Sequence, residues 1–329
     1  MTTRFRLSCV MGMVMMVAGG CGMPSFLITP VENTSKLEES VVEEGSGSGK
    51  IAIIDIEGML ANAKGGGFLQ PTENKLSLFV QELDRAAKDS SVKGVVLRIN
   101  SPGGTVTCTD TMYTLLKKFK EETHKPVVAS TQEVTASGGY YVACAADKIV
   151  ASPTSVVGSI GVIFMTFDAS GTMQKIGLRS EAIKSGIFKD IGSPFRPSTA
   201  DERAIMQGIV DEYYARFKGV VTANRPIKEG EKLNMVADGR VFSGHRAVEL
   251  GLADQEGLLS DAIDLVRKMA KTPKAEVILY KRPYGYTGSI YASSEVGVPQ
   301  AGSTTNFNLD LPGAHAFLPS GFYFLWEPG

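Results

Sequence analysis

Two stretches of the chain set glycines where acyl-transfer chemistry would want them. In EVTASGGYYVACAA, residues 133–146, Ser137 stands between a β-type run and the pair Gly138 and Gly139, and an alanine-rich, helix-like segment follows. In NSPGG, residues 100–104, Pro102 stiffens a second turn whose Gly103 and Gly104 offer backbone N–H groups. A serine hydroxyl near its free pKa is a poor nucleophile, so it needs a base and donors for the oxyanion. At a helix start, Ser137 meets backbone N–H groups and a dipole that favour negative charge. The same residues also fit a blander role, because serine is a preferred N-cap and glycine is common in turns. Neither turn carries a Walker-type lysine or a GxGxxG pattern that would claim it for phosphate.

The base is less plain. The three histidines are His124 in a polar helix-to-strand joint, His245 in VFSGHRAVELGLAD, and His315 in an apolar tail. None has the setting of a catalytic base, and sequence distance alone leaves His245 open as a triad member. A lysine can serve where burial and the lack of a counter-ion favour its neutral amine. Lys184 and Lys189, in AIKSGIFKDIGSPFRP, lie among small and turn residues, and composition does not choose between them.

The elements that hold these turns follow from hydrophobic period. IAIIDIEG (51–58), VKGVVLRIN (92–100) and KPVVAS (125–130) read as strands, separated by helices over 74–89 and 107–122. Strands joined by single helices imply right-handed parallel crossovers and an α/β core. Sites in such sheets lie beyond the carboxyl ends of the strands, where both glycine turns fall. Further on, 148–164 reads as short strands with tight turns and RSEAIKSG (179–186) as another strand. Residues 199–225 form the longest helix, opened by a Thr199/Glu202 capping box. Its stripe of Ile205, Ile209, Val210, Tyr213 and Phe217 fits core or subunit contact. Beyond about Thr272 the pattern weakens into a mobile extension, and the terminal AFLPSGFYFLWEPG is apolar again, suited to docking on a neighbour or touching lipid.

The start of the chain reads as an export signal, with Arg4 and Arg6 before an apolar run from Leu7 to Ala18. AGGC, residues 18–21, resembles a bacterial lipobox in which Cys21 takes the lipid; the alternative is an ordinary signal peptide with a chance cysteine. Residues 22–49 are polar and rich in glycine and serine, as a tether would be. Cys108 and Cys144 then remain in the body, too few for a disulfide framework, and read as small buried hydrophobes. The 329 residues carry 34 basic and 35 acidic side chains and no dense basic block, which excludes the electrostatic footprint of a nucleic-acid binder.

Four motifs in order, RINSPGG (98–104), TASGGYYVACAADKIVASPTSVVGSIGV (135–162), IKSGIFKDIGSPFRPST (183–199) and DGRVFSGHRAVELGLAD (238–254), resemble the serine peptidases of the signal peptide peptidase A type, peptidase family S49. That resemblance implies an α/β ClpP/crotonase-like fold, a spiral of parallel β-β-α units, with a single catalytic domain over residues 50–272. The residues at the two ends add a signal peptide over 1–20, a lipid-anchored linker over 21–49 and an extension over 273–329, and the lipobox in place of a transmembrane helix and the long tail depart from the usual short form of the family. The resemblance assigns Ser137 as nucleophile, Lys189 as general base, Ser159 as the serine that holds the lysine amine, and Gly103, Gly104 and Gly138 as the oxyanion hole. It places His245 at a variable position of a structural motif. No cofactor and no metal are implied. The partners implied are hydrophobic peptides such as signal peptide remnants, a membrane reached through the lipid anchor, and further copies closing a ring, with the body facing the periplasm or cell exterior. A non-catalytic scaffold with the same groove is the rival reading, since fold does not fix function. Acyl-CoA chemistry suits an exported Ser/Lys chain less well.

Overall fold

The computed structural model describes residues 36–63, 73–282, 290 and 321–326. The signal segment, Cys21 and His315 lie outside these residues, as does most of the extension expected to be mobile. In chain order the first elements are β1 (Glu38–Glu43), β2 (Lys50–Leu60), α1 (Lys75–Lys88), β3 (Val92–Thr105), α2 (Val106–Thr123) and β4 (Val127–Ala136). There follow α3 (Gly138–Ala143), β5 (Lys148–Ala151), β6 (Val156–Gly158), β7 (Ile163–Met165), α4 (Ser170–Lys175) and α5 (Ala200–Asn224). The rest are α6 (Glu231–Val236), β8 (Val241–Ser243), α7 (Gly244–Glu249), β9 (Gln255–Glu256), α8 (Leu259–Met269), β10 (Glu276–Lys281) and β11 (Gly321–Leu325).

The near-continuous apolar runs of β2, β3 and β4 are what a strand covered on both faces requires. Ala52, Ile54 and Ile56 pack with α1, α2 and α3 on one face, while Ile51, Ile53, Val96 and Val128 meet Ile263 and Val266 of α8 on the other. The order β1-β10-β2-β3-β4-β5-β9 is parallel from β10 to β9. The α/β class and parallel core read from the sequence are therefore present, with antiparallel additions at the margins.

Those additions bear on the site. Past its pairing with β4, β3 runs on to pair with β11, and β4 runs on to pair with β6. Register shifts fall at Glu57/Met59 and Ile99/Ser101, just where the strands leave the main sheet. Irregularities of this kind bend a strand and re-aim its side chains. The buried, bidentate Arg98–Asp55 pair, 2.7 Å at both contacts, ties β3 to β2 immediately upstream.

Three expectations change. The sheet reaches beyond residues 50–272: β1 pairs with β10, and β10 inserts beside β2 with Val277, Ile278, Leu279 and Tyr280 all buried. The apolar end of the chain docks on its own domain through β11, where Phe324 is fully buried. Residues 179–186 form no strand. They are exposed along their whole length, and among the described residues no strand pairs with them to take up their backbone groups.

Candidate active site

Ser137 sits at the break between β4 and α3 with φ 51° and ψ −115°, a conformation that costs a residue bearing a Cβ. Its backbone is held on both sides: its N–H donates to Gly158 O at 2.7 Å, and its carbonyl accepts from Tyr141 N at 2.9 Å. The side chain is another matter. It makes no capping bond to α3, and its Oγ is buried with no hydrogen-bond partner among the described residues. An orphaned buried hydroxyl is costly, so the capping role gives no reason for a serine here.

The two glycine turns meet at this point. A Cβ placed on Gly103 would fall 2.6 Å from Gly138 N, and one on Gly138 would fall 3.0 Å from Gly103 Cα. Gly103, at φ 106°, donates its N–H to Ser101 Oγ at 3.1 Å, and Ser101 Oγ in turn donates to Gly58 O at 2.6 Å. Gly104 is wedged against β2, where an added Cβ would lie 1.9 Å from Leu60 O. Only glycine fits these positions.

Strand β11 crosses both turns. Phe324 pairs with Gly104 and Leu325 with Gly103, and Phe324 O would lie 1.9 Å from a Cβ on Gly103 and 3.1 Å from one on Gly138. On its other edge β11 pairs antiparallel with β7, Tyr323 opposite Ile163. An extended backbone thus lies between β3 and β7, directly over the glycines that flank Ser137. The sequence pattern of the tail, aromatic and apolar, signalled burial without saying where.

Ser159 follows Gly158, the residue whose carbonyl receives the Ser137 N–H, and is itself buried at φ 50°. Lys189 lies elsewhere in character: it is exposed, in the irregular stretch between α4 and α5. Since Ser137 Oγ has no partner, neither Ser159 nor Lys189 hydrogen-bonds to it within this chain. The same stretch separates the two lysines that sequence left equal. Lys184 Nζ pairs with Asp190 Oδ1 at 2.6 Å, whereas Lys189 Nζ forms no ion pair among the described residues.

Several residues escaped the sequence reading. Thr109 Oγ1, on the first turn of α2, is a second buried hydroxyl without a partner, and a Cβ on Gly138 would fall 2.8 Å from it. Arg196, Asp190 and Glu202 form a cluster next to Lys189; the capping box flagged Glu202, but nothing in the sequence flagged its second partner. His245 is exposed and pairs with Glu256 at 2.6 Å, a surface role. Cys108 and Cys144 are free, and burial pushes their thiols up to about 11 and about 12. Among the described residues, no group of three or more His, Cys, Asp or Glu is placed to hold a metal.

The family model for peptidase family S49 matches residues 119–273, a stretch that holds Ser137, Ser159 and Lys189. A candidate signal peptide peptidase SppA of Enterococcus faecium is 34% identical over 264 residues, covering 80% of this chain and 75% of the relative. This chain belongs to peptidase family S49. A candidate protease of Methanocaldococcus jannaschii is 36% identical over 217 residues, covering 66% of this chain and 69% of its own. Protease 4 of Haemophilus influenzae is 28% identical over 221 residues but is matched over only 35% of its length. Among solved structures, the 1510-N membrane-bound stomatin-specific protease aligns with a TM-score of 0.43 at 10% identity, over 70% of this chain and 97% of that one. As an S49 member the chain is a serine peptidase with the ClpP-like fold of that family.

Proposed function

We propose that this S49 serine peptidase cleaves hydrophobic peptides with a Ser137/Lys189 dyad completed between subunits. The observation that carries the reading is Ser137 itself. It is a strained residue whose buried hydroxyl is spent on no structural bond, set between two turns that admit only glycine. Strain retained at such a point is typical of a functional site. Lys189 makes no hydrogen bond to Ser137 within its own chain, and it stands on an exposed stretch that also presents Ile183, Ile187 and Phe188. A neighbouring copy would cover those side chains and bring a lysine to Ser137, which matches the ring expected of the family.

The chemistry then runs in two halves. Ser137 Oγ bonds to the peptide carbonyl carbon while its proton passes to the neutral Lys189 amine. The N–H of Gly138 meets the oxyanion, with the Gly103–Gly104 turn as the facing wall. Collapse breaks the C–N bond, and the Lys189 ammonium gives its proton to the leaving amine. Water attacks the acyl-serine as Lys189 takes the second proton, and release of the acid returns Ser137 to its hydroxyl form. Ser159 holds the amine during both transfers.

The groove between β3 and β7 accepts an extended aromatic strand, as β11 demonstrates, which supports an apolar peptide substrate bound by main-chain pairing. Signal peptide remnants at a membrane have that chemistry. Anchoring through lipidated Cys21 would hold the body there, and no described helix is long and apolar enough to cross a bilayer. Ser137→Ala and Lys189→Ala should each abolish turnover of an unstructured leucine-rich peptide. Mixing and reassembling the two dead variants should restore part of it, because some interfaces then join an intact serine to an intact lysine. Activity in either single variant sinks the dyad; no recovery on mixing sinks its assembly between subunits.

A further inference from the structure

The stretch that carries Lys189 has no regular secondary structure, yet a base must be held to within a fraction of an ångström to transfer a proton well. What holds it is a cluster of charges. Arg196 grips Asp190 bidentately, Nε to Oδ2 at 2.9 Å and Nη2 to Oδ1 at 2.7 Å, and its Nη2 also donates to the Asp190 carbonyl at 3.2 Å. The same guanidinium donates Nη1 to Glu202 Oε2 at 2.9 Å and pairs Nη2 with Glu202 Oε1. Glu202 is anchored in turn: it is buried, and it closes the capping box of α5 by accepting from Thr199 N at 2.9 Å. A planar fork is the group suited to joining two carboxylates at once.

Resting on the reading of Lys189 as the base, we propose that Arg196 is its positioning residue: it ties the backbone beside Lys189 to the α5 cap and keeps the Asp190 carboxylate away from the Lys189 amine. Asp190 is the neighbour of Lys189 in sequence and the natural counter-ion for it. Its carboxylate is instead occupied by Arg196 and by Lys184, at 2.7 and 2.6 Å. The charged groups gathered here are Lys184, Asp190 and Arg196 on this stretch and Glu202 from α5, two of each sign. Lys189 is the surplus cation. Consistent with that pairing, hydrogen bonds from Arg196 and Lys184 hold the Asp190 carboxyl well below the usual carboxylate range, and Arg196 with the Thr199 N–H holds Glu202 down to about 2.

The test is the pH profile of kcat/KM for an internally quenched apolar peptide, using the full assembled chain. In Arg196→Met only Lys184 still holds Asp190, and its released Oδ2 can turn to the adjacent Lys189, so the ascending limb should move to higher pH. The value of kcat should fall about tenfold with KM little changed. Adding Asp190→Asn removes that carboxylate and should return the limb to its original pH, a rescue that no merely structural role supplies. Should Arg196→Met fail to fold, Arg196→Gln, which keeps hydrogen-bonding capacity and loses the charge, takes its place with the same expected direction. An unmoved limb, or a limb that Asp190→Asn does not restore, overturns the proposal. Lys189→Ala separates the two levels: if that variant stays active the dyad reading itself has failed, whereas a dead Lys189→Ala with an unmoved limb refutes the role of Arg196 alone.

Discussion

Ser137 shows what a single residue gives up to hold its place between β4 and α3. A non-glycine residue in a sparsely populated region of φ/ψ space costs about 1–3 kcal/mol, and an unpartnered buried hydroxyl adds to that cost. Ser137→Gly relieves both, since glycine adopts φ 51° freely and carries no hydroxyl. That variant should unfold at a higher temperature than the parent, by about 1 kcal/mol of added stability, while losing all turnover. Differential scanning calorimetry beside a peptide assay would check both, and a destabilised Ser137→Gly would mean the conformation is not strained. The position and type of this residue were legible in sequence, because a serine ahead of two glycines at a strand end is a local pattern. Composition left Lys184 and Lys189 equal, because what distinguishes their surroundings is where Asp190 points, and that is set by Arg196 and by the cap of a helix farther along the chain.

At the scale of elements, β11 decides what the groove looks like. Phe324 stacks on Tyr141 with ring centroids 5.0 Å apart and meets Phe217 at 4.9 Å, so the strand is pinned by an aromatic cluster as well as by its ladders with β3 and β7. A peptide bound in the same place must displace it. Truncating Phe324 to alanine removes about 3 kcal/mol or more of burial, loosening β11 ahead of the rest of the sheet. Phe324→Ala should therefore lower the KM for an extended apolar peptide, and hydrogen exchange should rise at residues 321–325 and at Gly103–Thr105. Faster exchange with an unchanged KM would show that substrate docks elsewhere. Strands β2, β3 and β4 and the helices between them could be read from period alone, since each is bounded by its own turn signals. Strands β1, β10 and β11 could not, because their partners are far away in sequence and short apolar runs do not declare their neighbours.

The molecule as a whole is uneven in its packing. Around the sheet the core is closed, but Phe167, Ile183, Ile187, Phe188 and Phe195 are exposed on or near the stretch that bears Lys189, and Ile205 is exposed on the α5 turn that follows it. Exposed apolar side chains gathered on one stretch mark an interaction site, and of the α5 stripe read from sequence Ile205 is exposed beside it while Phe217 belongs to the core. Replacing Ile187 and Phe188 together by glutamate should leave the thermal transition of the subunit unchanged, turn the assembly into monomers in sedimentation velocity, and remove activity with it. A parent chain that sediments as a monomer and still cleaves peptide would contradict assembly between subunits.

The nucleophile is the atom that a fluorophosphonate modifies covalently. The assembled chain treated with a fluorophosphonate, digested and read by mass spectrometry should carry the label on Ser137 alone, and Lys189→Ala should slow that labelling by at least tenfold at neutral pH. A label on another residue, or on Ser137 at an undiminished rate without Lys189, would contradict the Ser137/Lys189 dyad.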